Sequence, residues 1–227
     1  MRVVLLLLFA SGCAGIRYPG PVGAIGSLPP PPDYREPVVT TPEAKVARVE
    51  RSNAPGAPIA DAAEHYLGKG RLTHGGELYR WDCSGFIEAA HARAGLAVSG
   101  SSVSMYERAE SLGILDQASP SLGDVVFFEN TYDRNGNGRL DDPITHVAIV
   151  TSVDSDGTVH MVHKGGSGVT RLVMNLERPA LHQDEAGKVI NSYLRNQTRK
   201  DPRGTRYLTG ELFEGFASYW EAPVADL

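Results

Sequence analysis

The stretch Asp124-Val125-Val126-Phe127-Phe128-Glu129 marks the point at which the hydrophobic pattern of the chain changes. Four consecutive β-branched and aromatic residues between two carboxylates are typical of a buried strand. Two more strands are predicted downstream, at 145–153 and 158–164, with a turn at 154–157 between them. Strands joined by so short a turn pair in an antiparallel manner. The sequence therefore predicts an antiparallel sheet in this half of the domain.

Upstream of this stretch the apolar residues follow a helical spacing instead. Helices are predicted at 60–67, 83–94 and 104–112, each followed by a glycine that can end it. Helices followed by antiparallel strands indicate an α+β fold, with the N-terminal helices packed on the sheet.

The folded domain is predicted at 59–222, with a core at 59–170 and a C-terminal extension at 171–222. The extension shows no clear pattern, although its aromatic segment 207–220 is expected to return to the core. The whole chain has 227 residues and a net charge of −5, with 41% hydrophobic residues. These values exclude a disordered or multi-span membrane protein, and they argue against nucleic acid as a partner.

The N-terminal segment has the features of an exported, lipid-modified protein. Residues 1–12 combine one positive charge, a short apolar run and small residues, which predicts a secretory signal peptide. The next residue, Cys13, completes a sequence that resembles a bacterial lipobox, so Cys13 is predicted to carry lipid. Ten of the 15 prolines fall in the following segment. Segment 13–58 is therefore predicted to be an extended tether, with a short helix at 43–52.

Cys83 is the first candidate for chemistry, because it begins a predicted helix. The N-terminus of a helix favours an anion, so the pKa of this thiol is expected to be lowered. A thiolate nucleophile needs a base, and histidine suits that role near neutral pH. His146 heads an apolar strand, and His163 and His160 lie on the next one. Since these two point to opposite faces, only one of them can approach His146.

Three blocks of sequence together resemble the NlpC family of papain-like cysteine peptidases. They are Asp82-Cys83-Ser84-Gly85-Phe86, Gly123-Asp124-Val125-Val126-Phe127-Phe128 and Thr145-His146-Val147-Ala148-Ile149-Val150. The resemblance covers about residues 59–170 and implies that Cys83 is the nucleophile and His146 the base. It also implies that His163 orients the base, with His160 as the alternative. Asp82 and Ser84 match positions that hold the free amine of the substrate.

One position departs from the pattern of that family. Its members carry an aromatic residue three places before a Gly-Gly pair, and the hydroxyl of that residue helps to stabilise the oxyanion. This chain has Leu72 there, followed by Gly75-Gly76. The oxyanion site would then use the Cys83 backbone N–H together with another donor, and Tyr79 and His74 are both candidates.

The loop before His146 has the spacing of a calcium-binding loop. Oxygen-bearing side chains stand at positions 1, 3, 5 and 9, with glycine at position 6. The predicted ligands are Asp133, Asn135, Asn137, Asp141 and Asp142. Position 12 is Ile144 instead of the usual glutamate, so one of the last two aspartates must replace it. The alternative is a solvated loop built from Asx turns.

These features predict a lipoprotein of the bacterial cell envelope, periplasmic or at the outer membrane, with peptidoglycan as its partner. The domain is expected to hydrolyse an amide bond of the wall stem peptides by a Cys-His-His mechanism. No cofactor is expected for the chemistry, apart from a structural calcium ion. One alternative is a CHAP-type amidase that uses the same residues on a different wall bond. The other is a wall-binding lipoprotein without activity.

Overall fold

The computed structural model describes residue 51 and residues 53–222. The predicted signal peptide, Cys13 and almost all of the predicted tether lie outside these residues. Within the described part of the chain, no helix combines the length and apolar character needed to cross a membrane.

Among residues 57–222, three helices precede the main sheet: α1 (Ala57–His65), α2 (Cys83–Arg93) and α3 (Ser102–Ser111). Helix α2 begins where predicted because the Asp82 side chain accepts a hydrogen bond of 2.7 Å from the backbone N–H of Gly85. Helix α3 begins with a capping box between Ser101 and Ser104. The existence of all three predicted helices is confirmed, and their ends shift by up to three residues.

A small hairpin and a six-stranded antiparallel sheet make up the β structure. The hairpin consists of β1 (Thr73–His74) and β2 (Glu77–Leu78). The sheet strands are β3 (Leu115–Asp116), β4 (Val125–Phe128), β5 (His146–Val153), β6 (Val159–Gly165), β7 (Gly168–Met174) and β8 (Phe213–Ala217). Their order is β3-β8-β4-β5-β6-β7, and every neighbouring pair is antiparallel. The predicted α+β class and strands β4 to β6 are confirmed.

The segment predicted as a C-terminal extension, residues 171–222, supplies part of the sheet and returns to the core as expected. Strand β8 lies inside the sheet, paired with β3 on one side and β4 on the other. Phe216 and Tyr219, from the same segment, are fully buried. Residues 171–222 thus supply an interior strand and part of the core, because their apolar residues pack against distant strands.

The sheet carries a hydrophobic cluster on each face. On one face the helices pack against Val147, Ile149 and Val162. On the other face Ala148, Val150 and their neighbours pack against β8 and parts of the extension. Because successive residues of a strand point to opposite faces, β5 contributes to both clusters. At the end of the sheet where β5 begins, the helices therefore pack on one face and the extension packs on the other.

Candidate functional site

Two of the predicted catalytic side chains are joined directly. The Nε2 atom of His146 lies 2.7 Å from the Nδ1 atom of His163, at hydrogen-bond distance. The register of β5 and β6 pairs Ile149 with Val162, so one further step puts His163 opposite Ala148. Ala148 is two residues from His146 and on the same face, which explains why the two rings meet.

His160 does not take part in this site. Its Nε2 atom lies 3.0 Å from Oδ2 of Asp154, in the turn between β5 and β6. It stands opposite Ser152, at the far end of β5 from His146. The two histidines considered as the residue that orients the base thus have different partners, and His163 is the one that contacts His146.

Cys83 lies at the first turn of α2, next to the start of β5. Its thiol interacts with the backbone of Val147, the residue that follows His146, and with Ser84. The side chain is partly buried and forms no disulfide within the described residues. A partly buried thiol at a helix N-terminus, beside a histidine-bearing strand, is an arrangement typical of cysteine nucleophiles.

The expected lowering of the Cys83 pKa is not what the structure gives. Burial raises the pKa of this thiol, and the neighbouring Asp82 carboxylate raises it further, while hydrogen bonds with Ser84 and Val147 act in the opposite direction. Burial lowers the pKa of His146 to about 3 and that of His163 to about 4. The resting site therefore holds a neutral thiol and two neutral imidazoles, and not an ion pair.

The predicted amine-binding residues are both engaged within the protein. Asp82 caps α2 with one oxygen, and its other oxygen lies 3.7 Å from Nη1 of Arg80. Ser84 is only 5% exposed and hydrogen bonds with Cys83. Their role in substrate binding stays a prediction, since both side chains already have partners in the free protein.

The residue that replaces the family's aromatic side chain has no part in the site surface. Leu72 is fully buried in the core beneath the helices. The Tyr79 hydroxyl donates to Glu77 at 3.2 Å, and His74 lies on β1 opposite Glu77. Neither is joined to Cys83 by a hydrogen bond among the described residues, so the choice between them as an oxyanion donor stays open. The backbone N–H groups at the start of α2 remain the donors closest in sequence to the thiol.

Two residues that sequence reasoning missed hold His163 in place. Thr170 stands opposite His163 on β7, and its Oγ1 lies 3.1 Å from the second ring nitrogen, Nε2. Gly165 leaves room for the same ring, because a Cβ at this position would come within 2.6 Å of its Cε1 atom. Strand β7 was not predicted, so no local signal connected Thr170 with the histidine.

The proposed calcium loop is folded on its own side chains. Both carboxylate oxygens of Asp133 accept backbone N–H groups, including Gly136 at 2.7 Å and Gly138 at 2.8 Å. The side-chain amides of Asn135 and Asn137 both donate to Asp141. Among residues 51 and 53–222, no group of three or more histidine, cysteine or acidic side chains is placed to hold a metal. Three of the five predicted ligands, Asn135, Asn137 and Asp141, are thus exposed on one compact turn, Asp133 is half-buried, and calcium binding stays a prediction.

The fifth predicted ligand and position 12 of the loop face the protein instead. Asp142 is buried and accepts the backbone N–H of Arg134 at 3.1 Å. Ile144 is buried as well and has a φ of 39°, a strained value for a β-branched residue. The Ser102 hydroxyl donates to its carbonyl at 2.8 Å, which ties the end of the loop to α3. The loop end is therefore fixed by protein contacts two residues before His146.

Comparison with known proteins gives a match to one domain family and a similarity to solved structures. Residues 74–165 match the CHAP domain family, whose members are cysteine- and histidine-dependent amidohydrolases and peptidases. The matched segment includes Cys83, His146 and His163, so the predicted resemblance to this type of enzyme is confirmed. A search of curated proteins found no match. Among solved structures, one match is a protein similar to a lipoprotein, of the NLP/P60 family, from Staphylococcus aureus. The two share 24% sequence identity with a TM-score of 0.33, and the match covers 51% of this chain and 35% of the other.

Proposed function

Because residues 74–165 match the CHAP domain family, we propose that this protein is a peptidoglycan hydrolase that cleaves a stem-peptide amide bond with Cys83. The observation that carries the proposal is the hydrogen bond of 2.7 Å between His146 and His163, together with a thiol at the N-terminus of α2 that contacts the backbone of Val147, the residue after His146. Such a series of nucleophile, base and orienting group is what acyl transfer through a thioester requires.

In the proposed reaction the Cys83 sulfur attacks the amide carbonyl carbon while the thiol proton passes to His146. The C–N bond then breaks, and the leaving amine takes that proton as the acyl group remains on sulfur. Water next attacks the thioester and gives a proton to His146. The carboxylic acid leaves, and the proton returns to the Cys83 sulfur.

The tautomer needed for this step fits the observed contacts. His146 must accept the proton at Nδ1, because its Nε2 is engaged with His163. Nε2 then carries a hydrogen and donates to Nδ1 of His163, which in turn donates from its own Nε2 to Thr170. Since the thiol and imidazoles are neutral at rest, proton transfer accompanies the attack instead of preceding it.

The choice of wall bond separates the two enzymatic versions of the proposal. A stem endopeptidase frees the amine of an internal stem residue, whereas a CHAP-type amidase cleaves a different amide bond of the wall. The match of residues 74–165 to the CHAP domain family supports the amidase as the second candidate. Incubation of the purified protein with intact sacculi, followed by identification of the new amine termini, distinguishes them. If the protein binds sacculi without releasing any amine, it is a wall-binding lipoprotein instead.

We also propose that the protein lies in the bacterial envelope, anchored to a membrane through lipid on Cys13. The support for this is the signal-like segment 1–12 with its lipobox-like end. Cell fractionation tests it, because Cys13→Ser should move the protein out of the membrane fraction.

A calcium ion in the loop 133–142 is a further proposal. It is supported by the spacing of the oxygen-bearing side chains in the sequence. The ion would stabilise the loop and supply no chemistry to the reaction.

A further inference from the structure

A cleft of about 680 Å³ extends from the two histidines on the side of the extension. Its lining includes His146, His163, the glycines of the β6–β7 turn and the adjacent Thr131 and Tyr132. Its far wall is residues 192–194 and Asn196 of the extension. The extension thus forms a wall of a cleft beside the two histidines, as well as a strand of the sheet.

The lining of this cleft is polar but carries almost no net charge. Among the described residues that line it, Arg171 has the only permanently charged side chain. Its guanidinium is neutralised by Glu64, with Nη2 of Arg171 2.6 Å from Oε2 of Glu64. Both histidines are neutral near pH 7, because burial lowers their pKa values to about 3 and about 4. A lining of hydroxyl, amide and imidazole groups is complementary to an uncharged, polar ligand.

Two exposed tyrosines stand in the walls of the cleft. Tyr193 is 64% exposed and Tyr132 is 51% exposed. The Tyr193 ring packs on the His182 ring with a centroid distance of 4.6 Å, and its backbone pairs with Leu208. His182 is fixed in turn by a hydrogen bond of 2.7 Å to the Asn191 carbonyl. Tyr193 is therefore an aromatic surface held in place before any ligand arrives.

We propose that this cleft binds sugar rings of the peptidoglycan glycan strand, with Tyr193 as the stacking surface. In the wall polymer the stem peptides carry free carboxylates and amines, whereas the sugar backbone offers neutral rings with many hydroxyl and amide groups. An uncharged cleft with exposed aromatic faces is complementary to these neutral sugar rings.

This inference rests on the proposed function and narrows its substrate. Asp82 and Ser84, which would hold a free stem amine, are engaged with Arg80, Gly85 and Cys83. A free amine on the first stem residue exists only after the glycan has been removed. Binding of the glycan in the adjacent cleft means that the enzyme acts on stems that are still attached to their sugars.

The test compares two substrates for the full-length protein, intact sacculi and glycan-free stem peptides. Tyr193→Ala should lower the ratio of the rates on sacculi and on free peptides by about threefold to tenfold, the size of one aromatic contact. Tyr193→Phe keeps the ring and should retain the ratio. Leu181→Ala is the matched control, because Leu181 is exposed on the same extension but does not line the cleft.

An unchanged ratio of the two rates in Tyr193→Ala, whether or not both rates fall, would overturn the proposal. A direct binding measurement keeps it testable if no hydrolysis is found. Oligomers of N-acetylglucosamine should perturb the NMR signals of the Tyr193 segment in wild-type protein, and Tyr193→Ala should weaken that binding. Absence of binding at millimolar oligosaccharide would reject the sugar site even if the enzyme cleaves the wall. Binding without cleavage would instead reject the proposed hydrolase and leave the sugar site standing.

Discussion

His163 and His160 stand three residues apart on β6, yet only His163 contacts the proposed base. His163→Ala should lower kcat by about a hundredfold or more, because His146 loses the partner that fixes its tautomer and orientation. His160→Ala should have little effect, since it removes only a partly exposed pair with Asp154. Steady-state kinetics of both variants checks this, and a larger loss in His160→Ala would exchange their roles.

The neutral state of His146 predicts an unusual acid limit for activity. A base is inactive when protonated, and burial, followed by the charges of His163 and Lys164, lowers the His146 pKa to about 3. Wild-type activity should therefore persist at pH 5, where an unperturbed histidine would be almost fully protonated. Lys164→Met removes a positive charge, so the His146 pKa should rise and the acid limb should move to higher pH.

The profile of kcat/KM against pH measures both effects. Lys188→Met is the control, because Lys188 pairs with Asp154 and Asp156 on the surface. A wild-type half-loss near pH 6.5, or equal shifts in both lysine variants, would show that the site does not hold neutral histidines in this way.

At the scale of elements, a buried carboxyl group, that of Asp124, lies just before β4. Asp124 accepts hydrogen bonds from the Ser218 hydroxyl at 2.6 Å and the Ser121 backbone N–H at 2.7 Å. Burial raises its pKa from 3.8 to about 6 despite these bonds. The folded state thus binds this proton more tightly than the unfolded state. The resulting stabilisation is fully present below about pH 4 and is lost as the pH rises through about 6.

Asp124→Asn removes this pH dependence while keeping a polar group of the same size. Relative to wild type, its free energy of unfolding should therefore rise by up to about 3 kcal/mol between pH 4 and pH 7, the value of a shift of about two pKa units. Urea unfolding at several pH values gives that difference, and the comparison cancels the opposite contributions of the buried histidines. The same measurement on Asp61→Asn, at an exposed carboxyl of α1, is the control. If the difference in the free energy of unfolding between Asp124→Asn and wild type did not change between pH 4 and pH 7, Asp124 would be ionised in the folded protein.

The loop between β4 and β5 gives a second prediction at this scale. If it binds calcium, a hundredfold excess over Kd stabilises the fold by about 2.7 kcal/mol, and Tm should rise by several degrees. Magnesium should do less, because it demands a smaller octahedral site. Asp133→Ala should abolish the calcium shift, whereas Asp184→Ala, in an Asx turn of the extension, should keep it.

The calcium test needs millimolar concentrations, because buried Ile144 replaces the usual glutamate. If the protein melts cooperatively and millimolar calcium does not raise its Tm, the segment is a solvated loop built from Asx turns and not a calcium site.

At the scale of the whole molecule, local signals located most of the helices, strands β4 to β6 and the three catalytic candidates. The start of α2 was predictable because its cap and its apolar spacing are neighbours in sequence. Strands β7 and β8 were not, since charged and glycine residues such as Arg171 and Gly215 interrupt their patterns. Their pairing depends on strands far away in the chain.

The same limit applies to the site. Cys83, His146 and His163 stand in recognisable blocks of sequence, but Thr170 and Gly165 act through contacts that only the folded sheet creates. The direction of the Cys83 pKa shift was wrong because the helix start was visible in the sequence and the burial of the thiol was not.

The measurement that tests the central claim most directly compares wild-type protein and Cys83→Ser on purified sacculi. Wild type should release new amine termini with time, whereas Cys83→Ser should release none. The serine hydroxyl fits the same place but is a far weaker nucleophile than a thiol beside a neutral histidine. Equal melting temperatures would establish that the variant is folded. Release of amines by Cys83→Ser at the wild-type rate would contradict a thioester mechanism at this residue.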